Sequence, residues 1–276
     1  MAEIKMADIV QLRKMTSAGM MDCKSALTEA DGNIERAVEI IREKGKLVAS
    51  KRADRSATEG VVVARVSADK KKAYMVCLAC ETDFVAKNEE FVKSANEIMD
   101  IAFKNDVADM ETLLNTKGAE FTVADLVSQK GGQTGEKVEL PFYGRIEAAY
   151  CAAYIHTNSK LGALVGFNNV VPEAVAMDVA MQATAMAPVS IDESTCPADV
   201  LAKEHEIGRE QARQEGKPEE KLDMIADGKV KKYLKDNTLL NQTFVKDGKI
   251  SVADYIKSAG DKEATVVAYM RFSLQD

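Results

Sequence analysis

Three groups of residues in this 276-residue chain have types and spacing that could do chemistry. Cys77-Leu78-Ala79-Cys80 fits the C-x-x-C pattern of redox and zinc sites. Two facts oppose both uses. The run Ala73 to Cys80 alternates like a strand, and residues three apart on a strand point to opposite faces. The only histidines are His156 and His205, so no second ligand pair stands at zinc spacing. Cysteines that fill a core as small hydrophobes are expected instead. Gly131-Gly132-Gln133-Thr134-Gly135 opens like a phosphate loop, but Glu136 occupies the place of the required lysine. A flexible turn is predicted there. His156 ends a strand, with no serine, cysteine or carboxylate motif nearby to make it a general base. Surface hydrogen bonding and contact with a partner are both open readings for it.

A fourth group, Thr82-Asp83-Phe84-Val85, has no catalytic partner in view. It falls where a strand gives way to a helical pattern beginning near Asn88. Such loops are normally polar and solvated. This one sets a carboxylate beside an aromatic ring. On pattern alone, Phe84 either folds back on its own helix or probes another protein. Met20 and Met21 pose a related question. Neighbours on a helix lie about 100° apart, so the two cannot both face a core. An exposed methionine suits an adaptable interface.

The elements that must position these residues read as an α+β chain. Residues 1–55 carry three short helical patterns. The first holds Met6, Ile9, Val10 and Arg13 and breaks at Thr16 to Gly19. The second holds Cys23, Ala26, Leu27 and Ala30 and ends at Asp31-Gly32. The third starts at Asn33 and is expected to stop at Gly45. Residues 49–60 read as a linker. A first core half, 56–140, opens with a hairpin, Val61 to Val66 and Ala73 to Cys80. A helix follows, with Phe91, Val92, Ala95, Ile98, Met99 and Ala102 on one face and Asn88 as its cap. A second half, 141–276, repeats the plan about 85 residues later. Its hairpin is expected over Arg145 to His156 and Leu161 to Phe167, and its helix begins at Pro172. Residues 196–236 are charged, helical by propensity and split by Glu215-Gly216-Lys217-Pro218, which predicts an inserted helical hairpin. A short helix near Val252 to Lys257 and a strand from Ala264 to Leu274 complete the pattern.

Composition narrows the function classes. Hydrophobic content of 46% and charged content of 29% are ordinary for a globular protein. A net charge of −7 and a pI of about 5.2 disfavour direct nucleic-acid binding. No apolar run nears the ~20 residues that span a bilayer, and the first five residues lack a signal peptide's apolar core. A cytosolic protein, off the membrane, is expected. Five scattered cysteines do not suggest a disulfide framework. No cofactor or metal site is predicted, and no enzyme.

Two long motifs carry a resemblance. Thr16-Ser17-Ala18-Gly19-Met20-Met21-Asp22-Cys23-Lys24-Ser25-Ala26-Leu27 closely resembles the N-terminal signature of the bacterial elongation factor Ts family. Cys80-Glu81-Thr82-Asp83-Phe84-Val85-Ala86-Lys87 resembles its second signature. Tyr154-Ile155-His156 with Lys160-Leu161-Gly162 looks like a third. Ser17 departs from the family's usual glycine, and Thr157-Asn158-Ser159 replaces a glycine-rich turn. The resemblance covers essentially the whole chain. It implies a guanine nucleotide exchange factor for elongation factor Tu, with a ubiquitin-associated-type bundle (UBA-like) at the N-terminus. It further implies that Thr82, Asp83, Phe84 and Val85 dislodge the partner's magnesium. Arg13, Met20, Met21 and His156 would make other partner contacts. The hairpin over 196–236 resembles the family's protruding coiled coil, and self-association through the core as a homodimer is left open.

Overall fold

The computed structural model describes residues 4–16, 18–259 and 261–275. Ser17, the family departure noted above, lies outside them. The N-terminal bundle holds α1 (Met6–Thr16), α2 (Met20–Glu29) and α3 (Ile34–Lys51) around Ile9, Leu12, Cys23, Leu27, Ala37 and Ile40. Helix α2 ends as expected: Asp31 and Gly32 take φ of 48° and 86°, and the Gly32 N–H closes on the Leu27 carbonyl at 2.8 Å.

Helix α3 does not stop at Gly45 but runs on to Lys51, into the stretch read as linker. Gly45 is instead a contact point with α7 (Val123–Thr134). A Cβ on Gly132 would meet the Gly45 Cα at 3.2 Å, and one on Gly45 would meet the Ser128 carbonyl oxygen at 3.0 Å. The two glycines let the helix backbones touch. An Arg42–Asp125 ion pair holds the same interface, and a bond from Gln133 Nε2 to the Thr16 carbonyl, 3.0 Å, ties α7 to the end of α1. The glycine-rich run is therefore no loop. Gly131 and Gly132 are helical, and Gly135 caps α7 with a φ of 66°.

Two antiparallel sheets form the middle of the molecule. β1 (Glu59–Val66), β2 (Lys72–Cys80) and β3 (Glu139–Glu147) lie in the order β1-β2-β3. β4 (Tyr150–Ile155), β5 (Leu161–Phe167) and β8 (Val266–Ser273) lie in the order β4-β5-β8. The expected strand from Arg145 to His156 is thus divided. Arg145 to Glu147 pair with β2 in the first sheet, and β4 starts the second. β3 also straddles residue 140, so the first sheet draws on both sides of that position.

β2 is buried on both faces. Tyr74, Val76, Leu78 and Cys80 meet a helical layer of α5 (Glu89–Lys104) and α7, with α6 (Met110–Asn115) at its side. Ala73, Met75, Cys77 and Ala79 meet the second sheet, with Cys151, Leu164, Met270 and Phe272. Stacked Phe142 and Phe272 rings, 4.8 Å apart, join the two sheets. The outer face of the second sheet packs Val165 and Phe167 against α8 (Glu173–Met186) and α11 (Val252–Ser258), beside the short β6–β7 ribbon (Thr243–Phe244, Asp247–Ser251). The result is helix, sheet, sheet, helix, with the first sheet reaching past residue 140 through β3. The charged stretch forms a hairpin of α9 (Ala198–Gln214) and α10 (Leu222–Asn237). Gly208 lets α9 approach Ala226, and Ala212 and Leu222 are buried nearby.

Candidate functional site

The Thr82-Asp83-Phe84-Val85 segment is a single helical turn, α4 (Asp83–Ala86), at the end of β2. The Thr82 hydroxyl caps it by accepting from the Val85 N–H at 3.4 Å. Val85 packs against the first core, and Ala86 is buried. Phe84 points the other way. Its 85% exposure is the largest of the exposed large hydrophobics among the described residues. That answers the question left open by the sequence: the ring does not fold back. Burying such a side chain yields roughly 1.5–3 kcal/mol, so leaving it in water forgoes that stabilisation.

The turn is anchored from a distance. Glu136, just past the α7 cap, accepts from the Thr82 hydroxyl at 2.6 Å and from the Glu81 and Thr82 N–H groups at 3.0 and 3.1 Å. Glu81 in turn binds Arg52 and Arg55, each at 3.0 Å, and accepts from the Lys137 N–H. That N–H first, and then the two guanidiniums, pull its carboxyl down to about 2. Asp83 is half-exposed and pairs with Lys87 at 2.7 Å, one helical turn on. The ammonium holds the Asp83 carboxyl below its ordinary range, so it is an anion at neutral pH. A groove of about 350 Å³ runs beside Phe84, lined by Asn88, Glu90, Phe91, Lys130, Gln133 and Thr134.

The other predicted residues are distributed as follows. Arg13 is exposed near the end of α1. Met20 and Met21 begin α2 and are both exposed, at 42% and 77%. Gln133 links this bundle to the Phe84 groove, since it lines the groove and bonds to Thr16. His156 is exposed in the β4–β5 turn, with Nδ1 3.5 Å from the Tyr154 hydroxyl. In the same turn Lys160 pairs with Glu59 at 2.6 Å, and Glu59 lies opposite Cys80 in the sheet. The His156 turn thus stands at the sheet end from which α4 departs. Sequence reasoning missed Glu136 and Lys130. Their roles depend on partners 40 or more residues away, which no local pattern announces.

The thiol readings fail on geometry. Cys77 faces the sheet interface and Cys80 the helical layer. All five cysteines are free and buried. Burial pushes the Cys77 thiol far above its ordinary range and the Cys80 thiol up to about 12, so neither is a ready nucleophile. Among the described residues no cluster of three His, Cys, Asp or Glu could hold a metal ion, and no helix is long and apolar enough to cross a membrane.

Comparison with known proteins accords with this frame. A model of the family described as Elongation factor TS matches residues 81–276. The chain is 44% identical over 276 residues to Elongation factor Ts of Christiangramia forsetii, covering 99% of this chain and all of that one. It is 45% identical to Elongation factor Ts of Azobacteroides pseudotrichonymphae, with 97% of each chain covered, and 45% identical to that of Porphyromonas gingivalis, with 98% of each covered. An α+β core behind a helical bundle, with matches of this extent, is that of a translation elongation factor. The chain belongs to the elongation factor Ts family.

Proposed function

We propose that this protein is a guanine nucleotide exchange factor for elongation factor Tu and acts by binding rather than by bond chemistry. The observation that carries the reading is Phe84, an aromatic ring 85% exposed on a helical turn that Glu136 anchors. An exchange factor must bind the nucleotide-free partner better than the nucleotide-bound one. By linkage, nucleotide then weakens the factor as much as the factor weakens nucleotide.

In this reading Phe84 wedges between elements of the GTPase domain near its nucleotide. Asp83 competes for the groups that position the partner's magnesium, and Thr82 and Val85 fix the turn. Loss of the ion's support removes a large local charge interaction from the phosphates. Each tenfold loss of nucleotide affinity takes about 1.4 kcal/mol of coupling. Burial of one Phe ring yields roughly 1.5–3 kcal/mol, which corresponds to about one to two decades. Further exchange needs contacts elsewhere: Arg13, Met20 and Met21 on the bundle, and His156 with the second half on another domain of the partner. The test is release of fluorescent GDP from elongation factor Tu by catalytic amounts of this protein, with Phe84→Ala in parallel. Unchanged release by that variant would sink the wedge.

A further inference from the structure

The stretch between bundle and core, expected from the sequence to be a linker, is fastened to the Phe84 turn. Just past the end of α3, Arg52 and Arg55 donate to the two oxygens of the Glu81 carboxylate, each at 3.0 Å. The Arg52 guanidinium also stands beside Gly135, 4.0 Å from the site of a Cβ there. That is the C-terminal end of α7, where the helix dipole favours a cation. From the other side, the Lys137 ammonium donates to the Ala53 and Arg55 carbonyls at 3.1 and 2.9 Å. Glu81 immediately precedes the Thr82 cap, and Glu136, which holds Thr82, immediately precedes Lys137. The ends of α3, β2 and α7 therefore meet in one joint of charged contacts, directly under the turn that presents Phe84.

The joint does what packing leaves undone. The apolar cluster of the bundle and the one behind the first sheet share no residue, so no common core fixes the orientation of one on the other. The α3–α7 crossing at Gly45 and Gly132 is a contact of bare backbone. Arg52 lies roughly 10 Å further along at 1.5 Å per residue, and a fastening there resists rotation about the crossing. The Arg52 and Glu81 side chains are 27% and 17% exposed, so this pair is screened less than one in open solvent. A fixed orientation matters for recognition at two points. Arg13, Met20 and Met21 stand on the bundle and Phe84 on the core. When two contacts address one partner, the second forms most readily if the spacing already matches. Order established before binding also spares its entropic cost on binding.

We propose that Arg52 and Arg55 are positioning residues: through Glu81 they lock the bundle to the Phe84 turn, so that docking of the bundle delivers Phe84 to its place on the partner. This rests on the exchange-factor reading above. The test is a double-mutant cycle read by GDP release from elongation factor Tu. It compares the unaltered chain, Arg52→Gln with Arg55→Gln, Phe84→Ala, and all three substitutions together. Loss of the two arginines should slow release about fivefold, the weight of one or two part-exposed ion pairs. In the Phe84→Ala background the same loss should change nothing further, because the arginines act through that ring. Melting temperature is followed alongside. If the arginine variant melts below the assay temperature, Arg55→Gln alone replaces it, since that side chain is 55% exposed. Unchanged release without the arginines, or the same factor of loss in both backgrounds, would overturn the proposal and leave the wedge standing. Normal release by Phe84→Ala itself would instead bring down the underlying reading.

Discussion

The Glu136 carboxylate accepts the Thr82 hydroxyl at 2.6 Å across 54 positions of sequence. A residue that spoils a phosphate-loop pattern is thereby the clamp on the turn that presents Phe84. Removing the clamp leaves a hydroxyl and two N–H groups without their acceptor. Glu136→Ala should lower stability by about 1–3 kcal/mol and slow GDP release, while Phe84 stays in place as a residue. Denaturant titration and the release assay together check this. A stable variant with normal exchange would show the clamp to be dispensable.

The bundle's position on the core depends on bare backbone at the α3–α7 crossing. Gly132→Val would force branched methyls towards Gly45, whose Cα is already 3.2 Å from the site of a Cβ. A cost of about 1–3 kcal/mol is expected, confined to the interface. Hydrogen exchange should show α3 amides losing protection while β2 and α5 keep theirs. Equal loss throughout would mean that bundle and core do not separate as units.

Glu81 gives a pH signature with a definite sign. Its folded carboxyl titrates at about 2, below the unfolded value of about 4.3. A depressed folded value stabilises at pH above the unfolded one and is lost as pH falls through the folded one. The stability gap between the unaltered chain and Glu81→Gln should be constant above about pH 5 and shrink between about pH 4.3 and 2. Urea midpoints across that range measure it. A gap that widens on acidification would contradict the assignment.

The cysteines should be silent in the native state. With all five buried and Cys80 raised to about 12, a thiol reagent at pH 8 should label them only as the chain unfolds. Rapid labelling of Cys77 or Cys80 in the folded protein would reopen the redox reading.

The parts legible in the sequence were those with local periodicity. The β1–β2 hairpin and the apolar face of α5 follow from alternation and from 3.6-residue spacing, and the split at Gly216 announces the helical hairpin. β3 was harder to read because Pro141 and Gly144 interrupt it. Proline is tolerated there since β3 is an edge strand, a fact of topology rather than of local pattern. Gly45 and Gly132 looked like helix breakers because their reason is a neighbouring helix. The site divides the same way. Phe84 stood out as a loop aromatic, whereas the contacts of Glu136 and Glu81 exist only once distant segments meet.

Phe84 is proposed to supply the coupling energy between this protein and nucleotide on elongation factor Tu. Stopped-flow release of fluorescent GDP, with the unaltered chain and Phe84→Ala at matched concentrations, tests it most directly. The variant should fold normally, because the ring is 85% exposed, and should release GDP about ten- to a hundredfold more slowly. Release at the unaltered rate by a folded Phe84→Ala chain would contradict the account.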